Sequence, residues 1–105
     1  MIHHAGPASA AEALAWIKDA MASGRYILDT HYVQKRGRAR AVPLSDLKHA
    51  IATAVRCMEY EGRSPRAGGT NWRVVGRDTD GEETTVGVEA FEDHLGRRII
   101  IVTVF

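Results

Sequence analysis

Thiols are almost absent from this chain of 105 residues. The single cysteine, Cys57, excludes an internal disulfide and every zinc site built from several thiolates, and it fits a reducing compartment. No run of about 18 apolar residues exists to span a bilayer, so no membrane partner is expected. Met1 to Ala10 carries no basic start followed by a long apolar stretch, because Gly6 and Pro7 break it, and a cytoplasmic protein is expected on that ground. Charge of one sign is not in excess either: 14 Lys and Arg against 13 Asp and Glu leave a formal +1, so any affinity for a polyanion has to come from local clustering. Walker-type loops, dinucleotide fingerprints, nucleophile elbows and His-Glu-x-x-His are all missing, which removes nucleotide-cofactor and zinc-protease chemistry. Internal repeats and low-complexity tracts are missing as well. His3 and His4 adjoin at the start without a third ligand, so neither a metal nor any other cofactor is expected.

What remains is an ordinary globular composition, 45% hydrophobic and 26% charged, at a length that holds one domain and not a two-domain enzyme. We read residues 1–8 as a flexible start and 9–105 as a single α+β domain. Ser9-Ala10-Ala11-Glu12 has the spacing of a capping box. Ala10, Ala13, Leu14, Ile17, Ala20 and Met21 follow on one side at helical spacing, and Gly24 supplies the stop. Arg25 to Leu28 reads as a short extended piece, and Thr30 to Arg36 as a helical turn leading into an exposed loop. A second helix is predicted from Pro43–Asp46 to Tyr60, because Leu44, Leu47, Ile51, Ala54, Val55 and Met58 repeat at helical spacing.

Gly62, Pro65, Gly68 and Gly69 make the next stretch a loop, which Arg63 and Arg66 render basic. Three strands then follow at Asn71 to Arg77, Thr84 to Phe91 and Arg98 to Phe105, joined by short turns as an antiparallel meander. Ile99 to Val102 are all apolar, so the last strand is expected to be covered on both faces, as a central strand or by a partner molecule. The expected architecture is therefore two or three helices packed on an antiparallel sheet of three or four strands.

Charge is divided unevenly between segments. Arg25 to Arg40 sums to +4, with Lys35, Arg36, Arg38 and Arg40 close together, whereas Asp78 to Asp93 sums to −7. A short basic stretch gains counterion-release energy on a polyanion, though it also serves as a plain solvated surface. A helical turn would bring His31 together with Lys35 and Arg36. Cleavage of RNA without a metal needs a base for the 2′-hydroxyl, an acid for the leaving oxygen and cations where charge grows on phosphorus, and histidine with arginine supplies these. Holding the start of a helix is the commoner fate of an isolated histidine such as His31. Arg73, in mid-strand on the face away from Trp72, is open to two uses: binding a phosphate bidentately, or pairing across the sheet with Glu89 or another acid. Cys57 has no His or Cys partner in sequence to activate it.

The set formed by His31 with Arg36, an amphipathic helix, Gly69-Thr70-Asn71-Trp72-Arg73-Val74-Val75-Gly76, Asp80-Gly81 and a closing Ile101-Val102-Thr103-Val104-Phe105 resembles a family of small bacterial domains of unknown function. That family is distantly similar to the RelE, BrnT and MqsR toxins, and the resemblance runs from Tyr26 to Phe105. It implies a RelE-like α+β fold, a toxin–antitoxin pair and cleavage of messenger RNA without a metal. For MqsR-like toxins it also implies an antitoxin with a zinc-binding segment and a DNA-binding half. Thr70 to Arg73 is similar to the MqsR strand whose catalytic glutamine follows a tryptophan, so Arg73 stands where that glutamine would. The MqsR loop lysine has no lysine here, leaving Arg63 or Arg66 to serve, and the catalytic tyrosine is replaced by the Thr84-Thr85-Val86 stretch.

The leading expectation is a toxin-like, metal-independent RNA endonuclease, an mRNA interferase. His31 is its acid and base, Arg36 and Arg73 are its phosphate clamps, and Lys35, Arg38, Arg40, Arg63 and Arg66 hold the RNA. The alternative is a non-catalytic interaction module that docks a partner through its acidic β region and apolar C-terminal strand. A homodimer that binds a small ligand is a third reading of that apolar strand.

Overall fold

The computed structural model describes residues 6–29 and 42–105. Helix α1, Ala10–Ala22, begins on a variant of the capping box: Ser9 Oγ accepts from Glu12 N at 3.2 Å, and Glu12 Oε1 accepts from Ala8 N, one residue before the cap, at 3.2 Å. Such a cap is worth about 1 kcal/mol. The helix stops at Gly24, whose φ of 80° is open to glycine at little cost. Beyond it Arg25 N donates to Ala20 O and Gly24 N to Met21 O, satisfying the last carbonyls. Ahead of α1, Pro7 is buried and its carbonyl accepts from Thr70 Oγ1 at 3.4 Å.

Strand β1, Tyr26–Leu28, confirms the extended reading of that segment. Helix α2 covers only Leu44–Ala52 and then gives way to strand β2, Arg56–Glu59. The predicted helix to Tyr60 is thus corrected in its second half. Thr53 caps the helix, donating to His49 O at 2.8 Å and accepting from Arg77 N at 2.9 Å, which pins the helix end beside the sheet. From there Val55 N donates to Val75 O and Tyr60 N to Asn71 O. Ladder bonds to the next strand therefore replace helical ones, and the apolar residues that fitted a helical face diverge. Ala54 is buried, whereas Val55 is 81% exposed.

Strands β3 (Thr70–Arg77), β4 (Glu83–Asp93) and β5 (Gly96–Val104) form the expected meander. They sit inside a five-stranded mixed sheet of order β1-β5-β4-β3-β2, in which β1 runs parallel to β5 and every other pair is antiparallel. The α+β class holds, with two helices and more strands than expected. β5 lies between β1 and β4, so its run of isoleucines is accounted for within the sheet.

Both helices pack on one face. Ile17, Leu47 and Ile51 meet Trp72, Val74, Val86, Val88, Ile99 and Ile101 in one apolar core. Gly76 lets α2 come close, since a Cβ there would lie 1.7 Å from the Ala50 carbonyl oxygen. The opposite face of the sheet carries no helix among the described residues, and it mixes Asn71, Arg73 and Glu89 with the buried apolar Val75 and Phe91.

Candidate functional site

Alternation along the strands turns Arg73 away from the core, because Trp72 and Val74 face it. Its row across the sheet is Met58, Arg73, Gly87 and Thr103. Two aromatic rings flank it, and both come from segments that the register brings alongside. The guanidinium carbon lies 4.3 Å from the Tyr60 ring centroid and 4.2 Å from that of Phe105. The two rings meet edge to face at 6.1 Å. Cation–π contacts of this kind are worth about 0.5–2 kcal/mol and restrain the guanidinium. Arg73 enters no ion pair among the described residues, and its Nε is buried without a hydrogen-bond partner.

Gly87 makes room for this arrangement. A Cβ at that position would sit 2.8 Å from Thr103 Cγ2 and 3.2 Å from Phe105 Cε2. Gly87→Ala is therefore expected to displace the Phe105 ring from Arg73 and to cost about 1–3 kcal/mol. Urea unfolding checks the stability, and the Arg73 Nε–H resonance checks the loosened stack.

Arg73 and Glu89 do not pair. Glu89, 1% exposed, stands in the next row between Asn71 and Ile100 and has another task. Its carboxylate accepts from the backbone amides of Arg66 and Ala67, each at 2.7 Å, and from that of Gly69 at 3.1 Å. Asn71 Nδ2 donates to Arg63 O at 3.0 Å, and the Arg66 guanidinium forms an ion pair with the buried Asp29. The loop between β2 and β3 is thereby strapped over the edge of this face at three points. Between the loop and the start of β3 lies an open hollow of about 520 Å³, lined by Tyr60, Arg63 and Asn71 among others.

The basic residues expected to hold RNA are thus treated differently. Arg66 is engaged by Asp29, while Arg63 is exposed on the loop and has no ion pair among the described residues. Tyr60 is shared between Arg63 and Arg73, since its ring contacts the Arg73 guanidinium and it lines the same hollow as Arg63. His31, Lys35, Arg36, Arg38 and Arg40 lie outside the described residues.

Among the other reactive groups, Cys57 has its thiol pushed up to about 11 by burial, so it stays protonated at neutral pH. The Arg98 side chain, bonded to Asp93 Oδ2 at 2.7 Å, holds the Asp93 carboxyl below its ordinary value. His49 directs Nδ1 at the Arg77 carbonyl, 2.9 Å away, and is occupied at the rim of the helix layer.

Tyr60, Asn71, Glu89 and Phe105 were not among the site residues expected from sequence. Tyr60 was hidden by its assignment to the end of a helix. Glu89 did leave a signal, as the one acid between Val88 and Ala90 in mid-strand, where a carboxylate needs donors.

The fold and face together define a two-layer α+β domain whose helix-free sheet surface presents a ring-flanked arginine beside an open hollow. Comparison with protein-family models, curated proteins and solved structures finds no match to this chain. No helix among the described residues is long and apolar enough to cross a membrane.

Proposed function

We propose that this domain acts on RNA as a metal-independent endonuclease of the toxin type, with the helix-free sheet face as its contact surface. The observation that carries the reading is Arg73. Its guanidinium is permanently charged, is engaged by no carboxylate among the described residues, and is flanked by the Tyr60 and Phe105 rings. A cation in that state is suited to a phosphodiester, whose non-bridging oxygens accept two parallel N–H bonds and gain charge as the pentacoordinate phosphorus forms.

In this proposal His31 takes the 2′-hydroxyl proton and returns one to the leaving 5′-oxygen. Arg36 assists Arg73, and Lys35, Arg38, Arg40 and Arg63 follow the backbone. Arg66 contributes less, because Asp29 already neutralises it. An antitoxin partner would have to cover Arg73 to silence such an enzyme.

The test is RNA cleavage in chelator by the unaltered protein, His31→Ala and Arg73→Ala. Activity in the first and loss of at least about 100-fold in each variant is expected, in line with the removal of a proton-transfer group or a charge-stabilising donor. Equal background activity in all three removes the proposal.

A second reading, a non-catalytic docking module, draws on β2. Among the described residues that outer strand pairs with β3 alone, and Met58 in it and Val55 just before it are 47% and 81% exposed. It gains ground if the protein binds no RNA.

A further inference from the structure

We propose that Met58 is an oxidation site that controls Arg73: a peroxide converts its thioether to the sulfoxide, and the new oxygen accepts from the arginine's unpaired donors. Met58 and Arg73 are direct partners in the pairing of β2 with β3. Opposed residues of an antiparallel pair carry their side chains on one face, with Cβ atoms about 4.5–5.5 Å apart. Both therefore rise from the helix-free face, within side-chain reach of each other. Arg73 enters no ion pair among the described residues, and its Nε is buried without a partner. A thioether sulfur is only a weak acceptor and leaves that need unmet.

Access singles out this sulfur. Of the methionines among the described residues, Met58 is 47% exposed, whereas Met21 is 4% exposed in the core. The adjacent thiol does not compete for the oxidant. Cys57 stands opposite Val74, on the helix side, where it packs against the core. Burial keeps it protonated at neutral pH, and the thiolate is the form that peroxides attack.

In the reaction a sulfur lone pair attacks one oxygen of hydrogen peroxide. The S–O bond forms as the O–O bond breaks, and the departing oxygen takes the bonding pair and the proton of the transferred oxygen to leave as water. Sulfur is oxidised by two electrons and the peroxide is reduced by two. An apolar side-chain end thereby becomes a polar acceptor facing a cation, the setting of a charge-assisted hydrogen bond. Where Arg73 is the phosphate site of the RNA reading above, sulfoxide and phosphate compete for the same N–H groups. The contact between Met58 and Arg73 does not itself depend on RNA.

The experiment treats the folded protein with hydrogen peroxide, maps oxidation by peptide mass and follows the Arg73 Nε–H group by NMR, its resonance being assigned by its loss in Arg73→Lys. Met58 is expected to gain an oxygen well before Met21. Exchange of the Arg73 Nε proton with water should then slow about tenfold, the scale of one charge-assisted hydrogen bond. Met58→Leu, a change that nearly conserves volume, should show no response of Arg73 to peroxide. Untreated Met58→Gln, whose carbonyl stands in for the sulfoxide oxygen, should reproduce the slowed exchange. Oxidation of Met21 ahead of Met58, an unchanged Arg73 after Met58 is oxidised, or the same change in treated Met58→Leu overturns the proposal. Binding of single-stranded RNA is the second measurement, and the oxidised protein should bind about tenfold more weakly while Met58→Leu is insensitive to peroxide. A response of Arg73 in a protein that binds no RNA removes the RNA reading and upholds the control of Arg73 by Met58.

Discussion

Glu89→Ala is expected to lower stability by about 3 kcal/mol and to make the β2–β3 loop an early target for trypsin. The carboxylate of Glu89 accepts from three backbone amides at 2.7, 2.7 and 3.1 Å, and it is 1% exposed. Each amide left without an acceptor costs about 1–3 kcal/mol where water cannot replace the bond. Arg66 and Ala67 are exposed residues whose amides water can partly reach, which keeps the total near the lower end of the summed cost. Loss of these bonds leaves the loop tied only by Asn71 and by the Arg66–Asp29 pair. Cleavage after Arg63 and Arg66 then tracks opening of the loop before the sheet unfolds. Glu89→Gln should lie between, because it keeps one carbonyl oxygen but turns an amine toward backbone donors. The urea midpoint and the tryptic cleavage rate are the measurements. If both are unchanged in Glu89→Ala, the carboxylate does not hold the loop.

If the proposed RNA reading holds, Arg73→Lys is expected to bind single-stranded RNA about tenfold more weakly than the unaltered protein, with Arg73→Ala weaker still. A lysine keeps the charge, but its ammonium lacks the broad planar surface that contacts both the Tyr60 and Phe105 rings and does not offer two parallel donors. The alanine variant should also reduce the slope of log affinity against log salt by about 0.7, the loss of one phosphate contact to a single strand. Fluorescence anisotropy at several salt concentrations reads both quantities, and unfolding by urea confirms that both variants fold. A lysine variant with full affinity and an unchanged salt slope for alanine would show that Arg73 serves only the protein's own packing.

How legible these features are in the sequence depends on how local their causes are. The capping box at Ser9 and Glu12 and the stop at Gly24 act within a turn of the chain, and both were readable directly. So were β3, β4 and β5, whose alternation and tight turns are short-range signals. The segment from Thr53 to Tyr60 was misread because apolar residues there satisfy a 3.6-residue period, while its partner Val75 to Asn71 lies farther along the chain and supplies the ladder bonds that decide the matter. Arg73 was placed on its proper face by alternation alone. Its neighbours were not legible, since Tyr60 and Phe105 reach it only after β2 joins one edge of β3 and β4 brings β5 across the bend at Gly87. Glu89 was visible as an acid in a strand, but the identity of its donors, amides and not Arg73, depends on how the β2–β3 loop folds back.

The parallel pairing of Tyr26–Leu28 with Ile99–Ile101 joins segments about seventy residues apart, and among the described residues β5 is the only strand that β1 pairs with. As the chain leaves the ribosome, the early strand has no mate until the final one emerges. Helix α1 likewise waits, because the Trp16 indole donates to the Arg98 carbonyl. Assembly of this domain therefore has to await completion of β5, and nascent chains halted before that point should display an unmatched aliphatic edge of the kind that chaperones hold.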